Sequence, residues 1–488
     1  MRARILAQEV SVFIITVVLL IESCYGLIQV LGWRASRNAL FLLTGHFDNP
    51  GPYGGFVAVL LSVTVSWCLI KLFANKPVLD GRKIKMVISY GVLFLAAIAS
   101  FLGGVVLVAS LSRTAWVGFM LAELVFILIE QNHLGFRYPN WQKHAPILCL
   151  IILVLSYTAF DAKRDSAIGR LHIWRIESRV IANNPLKGVG KGRCLGEYGL
   201  EQAAFFKEKE RPAIIKRVAG CPEYAFNEYL KIGMEYGVIG LIVSLLIAGS
   251  VIYVLVRSKS PFAYGAIVYA VFAFGSYPLS LWQFQIMGTV FIVAAFVSLF
   301  HCRTLMYLII SLLGLVGNCV ICFLLIVENE RKHNQELVWE SISRSANMEL
   351  YEDAIPGYEE LYISLKDNYY FLYDYGYALF KVGRFVEAQK ILREGASLSS
   401  DPMFHIIIGR CQEALNDYET AESEYMLAHF MVPGRLYPLV LLKEMYDRQG
   451  DDVRAGWVLE KIMQIPVNPK NKTMQDLLLR VQGNEEGY

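Results

Sequence analysis

Long apolar segments recur through the first two thirds of this 488-residue chain and limit what it can fold into. A helix needs about 20 mostly apolar residues to cross a bilayer. Candidate spans lie near residues 7–32, 53–73, 86–111, 115–130, 146–160, 229–256, 262–280, 284–301 and 305–327. A mean hydropathy of +0.42 with 18% charged residues excludes an ordinary soluble protein of this length. We therefore predict an all-α polytopic membrane bundle of about nine spans, followed by a soluble domain.

The basic residues of the short loops indicate how the spans are oriented. Except for Arg34 and Arg37, they fall on one predicted side, which the positive-inside rule makes cytoplasmic: Arg2, Arg4, Lys71, Lys76, Arg82, Lys83, Lys85, Arg137, Lys143, Arg257, Lys259 and Arg303. The opposite side receives residues 45–53, the turn 112–114, a long polar segment at 161–227 and the C-terminal region. The first apolar run is long and lacks a small-residue cleavage site, so no cleavable signal peptide is expected.

The polar segment at 161–227 has an excess of cations. Residues 161–223 contain thirteen Lys and Arg against eight Asp and Glu. A solvated surface is one explanation, since runs of charge usually are solvated. An anionic ligand is the other, because the guanidinium of Arg forms a planar donor fork that matches phosphate oxygens.

Position favours some arginines as ligand-binding residues. Arg113 begins a predicted span, at the depth of lipid headgroups. Arg170, Trp174 and Ile181 follow helical spacing, so a cation, an indole and an apolar anchor share one stripe. An interfacial aromatic is the plainer explanation for Trp174. Gly188, Gly190 and Gly192 follow a helix stop at Asn184-Pro185. No strand precedes these glycines, so they fit a flexible turn that approaches a ligand better than a nucleotide-binding loop.

Five short motifs occur in an order that resembles the O-antigen ligase and polymerase family. They are Thr44-Gly-His-Phe47-Asp-Asn49-Pro50, Ser112-Arg113, Arg170-x-x-x-Trp174, Asn184-Pro185-Leu-Lys-Gly188-Val-Gly190 and Phe226-Asn227-Glu228-Tyr229-Leu230. The resemblance covers roughly residues 40–300. It implies a membrane glycosyltransferase of the bacterial inner membrane that moves a preassembled glycan from an isoprenoid diphosphate to an acceptor on the outer face. The acceptor class stays open among lipid A core, protein and growing glycan.

The resemblance also implies roles for individual residues. Arg113 and Arg170 would neutralise the diphosphate leaving group, and electrostatic stabilisation of this kind can be the largest catalytic effect. The substrate-contacting residues would be Trp174, Arg175, Asn227 and Tyr229. No cofactor and no metal requirement are expected, and no nucleic acid partner.

The candidate general base departs from the family pattern, because Phe226 stands where the family has histidine and cannot accept a proton. Glu223 and Glu228 flank the position and are predicted as the alternatives. Glu228 also fits a plain helix-start carboxylate. Tyr224 and Tyr229 are weaker candidates, and His46 or His172 could substitute. Nearby, Cys194 and Cys221 fall in the same polar segment. Two free thiols are the simpler interpretation, with a disulfide as the alternative.

The C-terminal region contains a repeat. Ala354, Ala388, Ala421 and Ala455 occupy matched places at spacings of 34, 33 and 34, with turns at Gly383-Arg384, Asn416-Asp417 and Gly450-Asp451. This period is typical of tetratricopeptide repeats, which stack helix pairs into a surface that binds proteins. We predict two domains, a membrane glycosyltransferase domain at 1–327 with its outer loop at 161–227, and a periplasmic repeat domain at 328–488.

Two other functions compete with glycan transfer. A membrane-anchored interaction scaffold is the first, because Phe226 could mark an inactive membrane domain. A transporter is the second, although transporters carry ionisable residues inside their spans and this chain has few. Membrane lipid, the carrier-linked glycan, its acceptor and a protein partner of the repeats are the expected partners.

Overall fold

A computed structural model describes residues 2–73, 83–130, 164–299, 304–466 and 471–481. Over these ranges the chain is helical and contains no strand, which confirms the predicted fold class. The described residues belong to two compact units. The membrane unit draws on Met1–Lys163, Phe226–Tyr229 and Ile242–Val327, and the loop–repeat unit on Arg164–Ala225, Leu230–Leu241 and Glu328–Tyr488.

The membrane unit is built around its second helix. Its described helices are α1 (Arg2–Val30), α2 (Pro50–Phe73), α3 (Lys83–Ala109), α4 (Arg113–Glu130), most of α8 (Glu228–Arg257), α9 (Phe262–Ala273) and α10 (Trp282–Leu299), with a 3₁₀ turn at Pro278–Ser280. Helix α2 packs against α1, α3, α4 and α9. Its side chains are accordingly the most buried, among them Tyr53, Val57 and Val63. A helix apolar on all sides is expected in such a central place.

Five described helices are long and apolar enough to cross a membrane. They are Gln8–Val30, Pro50–Leu72, Tyr90–Ala109, Glu228–Arg257 and Trp282–Leu299. The predicted span at 115–130 is a helix of 18 residues, and the one at 262–280 ends as a helix at Ala273. The predicted span at 146–160 lies outside the described residues. That at 305–327 falls within α11 (Thr304–Asn347), a helix of 44 residues.

Helix α8 is interrupted near its start. Gly237 has φ 68° and ψ −173°, far from helical values. Beyond the break, apolar side chains such as Ile239, Ile242 and Leu246 are more than half exposed. Side chains of this kind match the hydrocarbon of a bilayer, which needs no polar partner from them.

The loop–repeat unit contains three helices of the polar segment and the C-terminal repeats. The former are α5 (Arg164–Asn183), α6 (Cys194–Glu208) and α7 (Ala213–Val218). The latter follow the end of α11 as α12 (Tyr351–Leu365), α13 (Tyr369–Lys381), α14 (Phe385–Ala396), α15 (Met403–Ala414), α16 (Tyr418–Met431), α17 (Tyr437–Gln449), α18 (Asp452–Met463) and α19 (Lys472–Val481).

The repeat region has the predicted helix pairs. Ala354, Ala388, Ala421 and Ala455 lie in α12, α14, α16 and α18, and all four are buried. The first residue of each predicted turn, Gly383, Asn416 and Gly450, has positive φ. Gly376 and Gly409 lie where a Cβ would strike Leu392 and Tyr425 of the paired helix. Small residues are therefore required where the paired helices cross.

The polar segment packs directly against the repeats. Helix α6 contacts α16. A Cβ at Gly196 would lie 2.3 Å from the Ser397 carbonyl oxygen, and one at Gly199 would lie 2.6 Å from the Met431 methyl. The backbone contact at Gly196 leaves no space for a side chain, so glycine is needed there. A segment that lies on one side of a membrane must therefore share that side with the repeats that cover it.

Candidate functional site

Arg113 is the first residue of α4, and the turn before it is anchored to α2. The Ser112 hydroxyl donates to the Gly51 carbonyl at 3.1 Å. Leu111, just before it, has φ 51°, which is uncommon for a side chain of this size. Thr114 contacts Gly275, beyond the end of α9. Arg113 therefore stands on a backbone held from two neighbouring helices.

The motif that begins α8 is held by its own polar side chains. The Asn227 side-chain oxygen accepts from the Tyr229 N–H at 3.0 Å, as a helix N-cap does. Glu228 is buried, and its carboxylate accepts from the Leu279 N–H at 2.7 Å. The Tyr229 hydroxyl donates to the Ala270 carbonyl at 2.8 Å. These contacts give all three residues a structural role at the start of α8.

Phe226, at the position of the family's histidine, packs edge-on against Tyr277 with ring centroids 5.6 Å apart. Its φ of 52° places a bulky residue in the left-handed region. Such a conformation persists only where the surroundings impose it, and it clusters at functional sites. Leu111 and Phe226 thus mark two strained turns, one immediately before the Ser112-Arg113 motif and one inside the α8 motif.

Helix α5 carries the second group of predicted residues. Arg170 and Trp174 are partly exposed and Arg175 is exposed. His172, between them, is buried, and its Nε2 lies 2.9 Å from the Gln202 side-chain oxygen. Burial lowers the pKa of His172, so the ring is neutral and enclosed. His172 is therefore a packing residue, and a substrate hydroxyl could not reach it.

Gln202 connects α5 to the repeats. Besides His172, its side chain accepts from the Tyr198 hydroxyl at 2.7 Å and donates to the Gly220 carbonyl at 3.0 Å. It also donates to the Met431 carbonyl at 2.5 Å. Because Gln202 is 1% exposed, each of these bonds is protected from water. The helix with Arg170 is thus held in place partly by the repeat region.

Glu223 is exposed and belongs to the loop–repeat unit, where its carboxylate accepts from the Tyr370 hydroxyl at 2.8 Å. The structure therefore groups the predicted residues in two sets. Arg113, Asn227, Glu228 and Tyr229 belong to the membrane unit, and Arg170, Trp174, Arg175 and Glu223 to the loop–repeat unit.

The glycine turn after α5 contacts the backbone of α8, whereas the sequence predicted that this turn approaches a ligand. Val189 and Gly190 donate their N–H groups to the Met234 and Glu235 carbonyls at 2.8 and 3.1 Å, and Val238 donates to Pro185 at 2.7 Å. The break at Gly237 leaves the Met234 and Glu235 carbonyls and the Val238 N–H without partners inside α8. The glycine turn supplies their hydrogen-bond partners instead. The N–H groups of Gly190 and Gly192 are therefore occupied by Glu235 of α8, and that of Gly188 by the Asn184 carbonyl.

Cys194 and Cys221 are free thiols in the structure. Burial raises the pKa of Cys194 to about 12, so its thiol stays protonated and unreactive. The Arg435 guanidinium donates to the Cys221 sulfur at 3.2 Å. Cys221 thus has a contact with the repeat region, and no bridge between the two cysteines is present.

Comparison with known proteins gives two matches. Residues 98–245 match the O-antigen ligase family. The chain carries an O-antigen ligase domain. The match confirms the resemblance found in the motifs, and it includes every predicted site residue. Residues 347–426 match subunit 3 of the anaphase-promoting complex, or cyclosome, which supports a tetratricopeptide-type region after the O-antigen ligase domain. No curated protein matches the chain.

Sequence reasoning missed the buried Glu177 and the pairing of Glu22 with His46. Glu177 on α5 is 1% exposed, and its Oε2 has no hydrogen-bond partner. Its spacing of three from Trp174 was a readable signal, since it places a carboxyl on the stripe of Arg170 and Trp174. The pairing of Glu22 with His46, at 2.9 Å, had no such signal because the two residues lie on different elements.

Proposed function

We propose that this protein transfers a preassembled glycan from an isoprenoid diphosphate carrier to an acceptor hydroxyl on the outer face of the bacterial inner membrane. The match of residues 98–245 to the O-antigen ligase family is the observation that carries the proposal. It contains Arg113 at the start of α4 and Arg170 on α5, the two cations assigned to the carrier diphosphate.

The chemistry needs charge stabilisation above all. The acceptor oxygen attacks the anomeric carbon of the carrier-linked sugar, and the bond from that carbon to the phosphate oxygen breaks. Negative charge then develops on the leaving diphosphate. Two guanidinium groups would bind it through paired hydrogen bonds and stabilise the transition state more than the ground state. Trp174 and Arg175 on α5 would contact the sugars or the carrier.

The contacts within the loop–repeat unit support the proposed topology. Helices α5 to α7 pack on the repeats through Gly196, Gly199 and Gln202. These two regions must lie on the same side of the membrane, and the positive-inside rule assigns both to the periplasm. This orientation places the arginine-bearing helix where the carrier-linked glycan would be found.

The repeats give the protein a second task, binding a protein partner. A groove of about 680 Å³ at the helix ends of the repeats is lined by Lys381, Arg410 and Arg448 among other residues. The Arg410 guanidinium stacks over Phe380 at 4.7 Å, and Arg448 pairs with Glu413. Because the residues from Glu328 onward contain ten more acidic than basic side chains, this basic groove is unusual for the region. An acidic segment of a partner is the chemistry it fits.

Reconstitution tests the transfer reaction. The full chain in proteoliposomes would receive an oligosaccharide linked to an isoprenoid diphosphate, with a lipid A core, a hydroxyl-bearing peptide and a free glycan as separate acceptors. We expect glycan transfer to one acceptor class and release of the carrier diphosphate. Intact carrier-linked glycan with all three acceptors would instead support the scaffold, which Phe226 in place of histidine favours.

A further inference from the structure

Glu22 and His46 form a polar pair in the membrane unit, and the motif that contains His46 did not predict this partner. His46 Nδ1 lies 2.9 Å from Glu22 Oε1. The Glu22 side chain is 13% exposed, whereas that of His46 is 43% exposed. Glu22 belongs to the candidate span Gln8–Val30, where a carboxylate is costly and usually has a function.

The imidazole is fixed by its surroundings. Its ring stacks on Tyr25 with centroids 4.1 Å apart, and Arg37 donates to the His46 carbonyl at 2.9 Å. The Gln29 side chain accepts from the Thr44 and Gly45 N–H groups at 3.1 and 2.8 Å and so holds the turn beneath it. Among the described residues, Arg34 also lies on the Tyr25 ring, with its guanidinium 5.1 Å from the ring centroid.

This geometry leaves one ring nitrogen available. Nδ1 faces the carboxylate, and Nε2 has no hydrogen-bond partner among the described residues. A carboxylate that binds Nδ1 sets the tautomer and stabilises the imidazolium, so Nε2 can accept a proton. The same arrangement activates nucleophiles on unrelated folds, which makes it a chemical pattern independent of any one family.

The pair also lies beside the predicted carrier site. The turn that contains His46 continues to Gly51, whose carbonyl accepts from the hydroxyl of Ser112, the residue before Arg113. A Cβ at Gly54 would lie 2.4 Å from the Ser110 hydroxyl, so the first turn of α2 is in close contact with the turn before α4. His46 lies just before α2 and Arg113 begins α4, so the two residues adjoin helices of one unit that are in contact.

We propose that His46, oriented by Glu22, is the general base for the acceptor hydroxyl. The inference rests on the proposed function and supplies the base that Phe226 cannot provide. The acceptor oxygen forms the new bond to the anomeric carbon while its proton passes to His46 Nε2. The isoprenoid diphosphate leaves with the electron pair of the broken bond. Glu22 is a positioning residue, because it acts through the imidazole.

The test compares the pH dependence of transfer in the full-length wild type and in His46→Asn, in proteoliposomes with the isoprenoid diphosphate-linked oligosaccharide. Asparagine can still donate to Glu22 from the place of Nδ1 but has no Nε2. We expect transfer to fall by about 10²- to 10⁴-fold, the usual contribution of a general base. We also expect the decline of the wild-type rate at low pH to disappear, and added imidazole to restore part of the activity.

Two further variants separate catalysis from packing. Glu22→Gln keeps a hydrogen-bonding group and should lose less activity than His46→Asn. His333→Gln, an exposed histidine on α11, should match the wild type. A His46→Asn protein with wild-type rate and pH profile would overturn the inference while leaving the transferase intact. A wild type that transfers no glycan would overturn both.

Discussion

Arg113 and Arg170 should distinguish a diphosphate site from a charged surface. Lysine keeps the charge but loses the paired donor fork, so Arg113→Lys and Arg170→Lys should impair transfer nearly as much as the alanine variants. The expected loss is about 2–4 kcal/mol of transition-state stabilisation, or two to three decades in rate. Initial rates of glycan transfer at matched protein levels provide the measurement.

The control for this series is Arg217, which is exposed and pairs with Asp165 at 2.8 Å. Arg217→Ala should keep nearly full activity, since exposed ion pairs contribute about 0–1 kcal/mol. Arg211 is unsuitable, because its guanidinium stacks on Phe205 at 3.6 Å and donates to the Phe205 carbonyl. Equal losses in the Arg113, Arg170 and Arg217 variants would indicate a nonspecific effect of surface charge.

Glu177 permits a prediction about stability. Burial raises the pKa of this carboxyl well above its usual range, so the folded protein keeps it protonated. Its contribution to stability is present below the unfolded pKa and is lost as pH rises toward the folded pKa. Glu177→Gln should therefore raise the melting temperature at pH 8 more than at pH 5, as followed by thermal unfolding in detergent. A shift that is equal at both values would mean that Glu177 is ionised in the fold.

At the scale of elements, the docking of the glycine turn on the break in α8 can be tested with a matched pair. Gly188 and Gly190 both have positive φ. A Cβ at Gly188 would lie 2.3 Å from the Met234 carbonyl oxygen, whereas one at Gly190 would meet nothing within 4 Å. Gly190→Ala should cost only the backbone strain, about 1–2 kcal/mol, and Gly188→Ala distinctly more. Thermal unfolding and protease cleavage of residues 184–193 would compare the two, and equal effects would argue against the docking.

The sequence predicted the helices and turns better than the segments against which they pack. The period of 34 predicted the repeat helices and their turns because each pair buries a small residue at a fixed place. The Asn184-Pro185 turn was predicted too, but its partner was not, since the break at Gly237 looks like an ordinary glycine inside an apolar run. Gly196 and Gly199 likewise read as weak points of α6. Only the packing of α6 on Ser397 and Met431 shows why they are glycines.

For the candidate site, too, the sequence predicted individual residues but not their contacts. The motifs predict Arg113 and the α5 residues as site residues from spacing that is local in the sequence. They could not show that Glu228 accepts from Leu279 or that Glu223 accepts from Tyr370, since both bonds join residues far apart in the chain. Neither contact tests the sequence-based prediction that one of these carboxylates is the base, to which His46 is the alternative proposed above. Each gives them a structural role that the sequence could not reveal.

At the scale of the whole molecule, the polar segment and the repeats pack together, so reporters fused to either should give the same result. A reporter active only in the periplasm, placed after Tyr488 or after the exposed Lys209 just beyond α6, should be active at both sites. The packing of α6 on α16 requires the two fusions to agree. One active and one silent fusion would contradict the loop–repeat unit, and two silent fusions would reverse the proposed orientation.

The repeats should also be needed for transfer when no partner is present, because they support α5 and α6. Removing residues 351–488 would expose the apolar side chains of α6 that α16 covers, among them Ala203. In the full chain, Gly196→Leu should separate α6 from Ser397 and lower transfer by at least tenfold, because the leucine has no space there. Leu200→Ala, at an exposed position of the same helix, should keep the wild-type rate. If Gly196→Leu transfers normally in proteoliposomes, the repeats serve only partner binding and α5 holds its position without them.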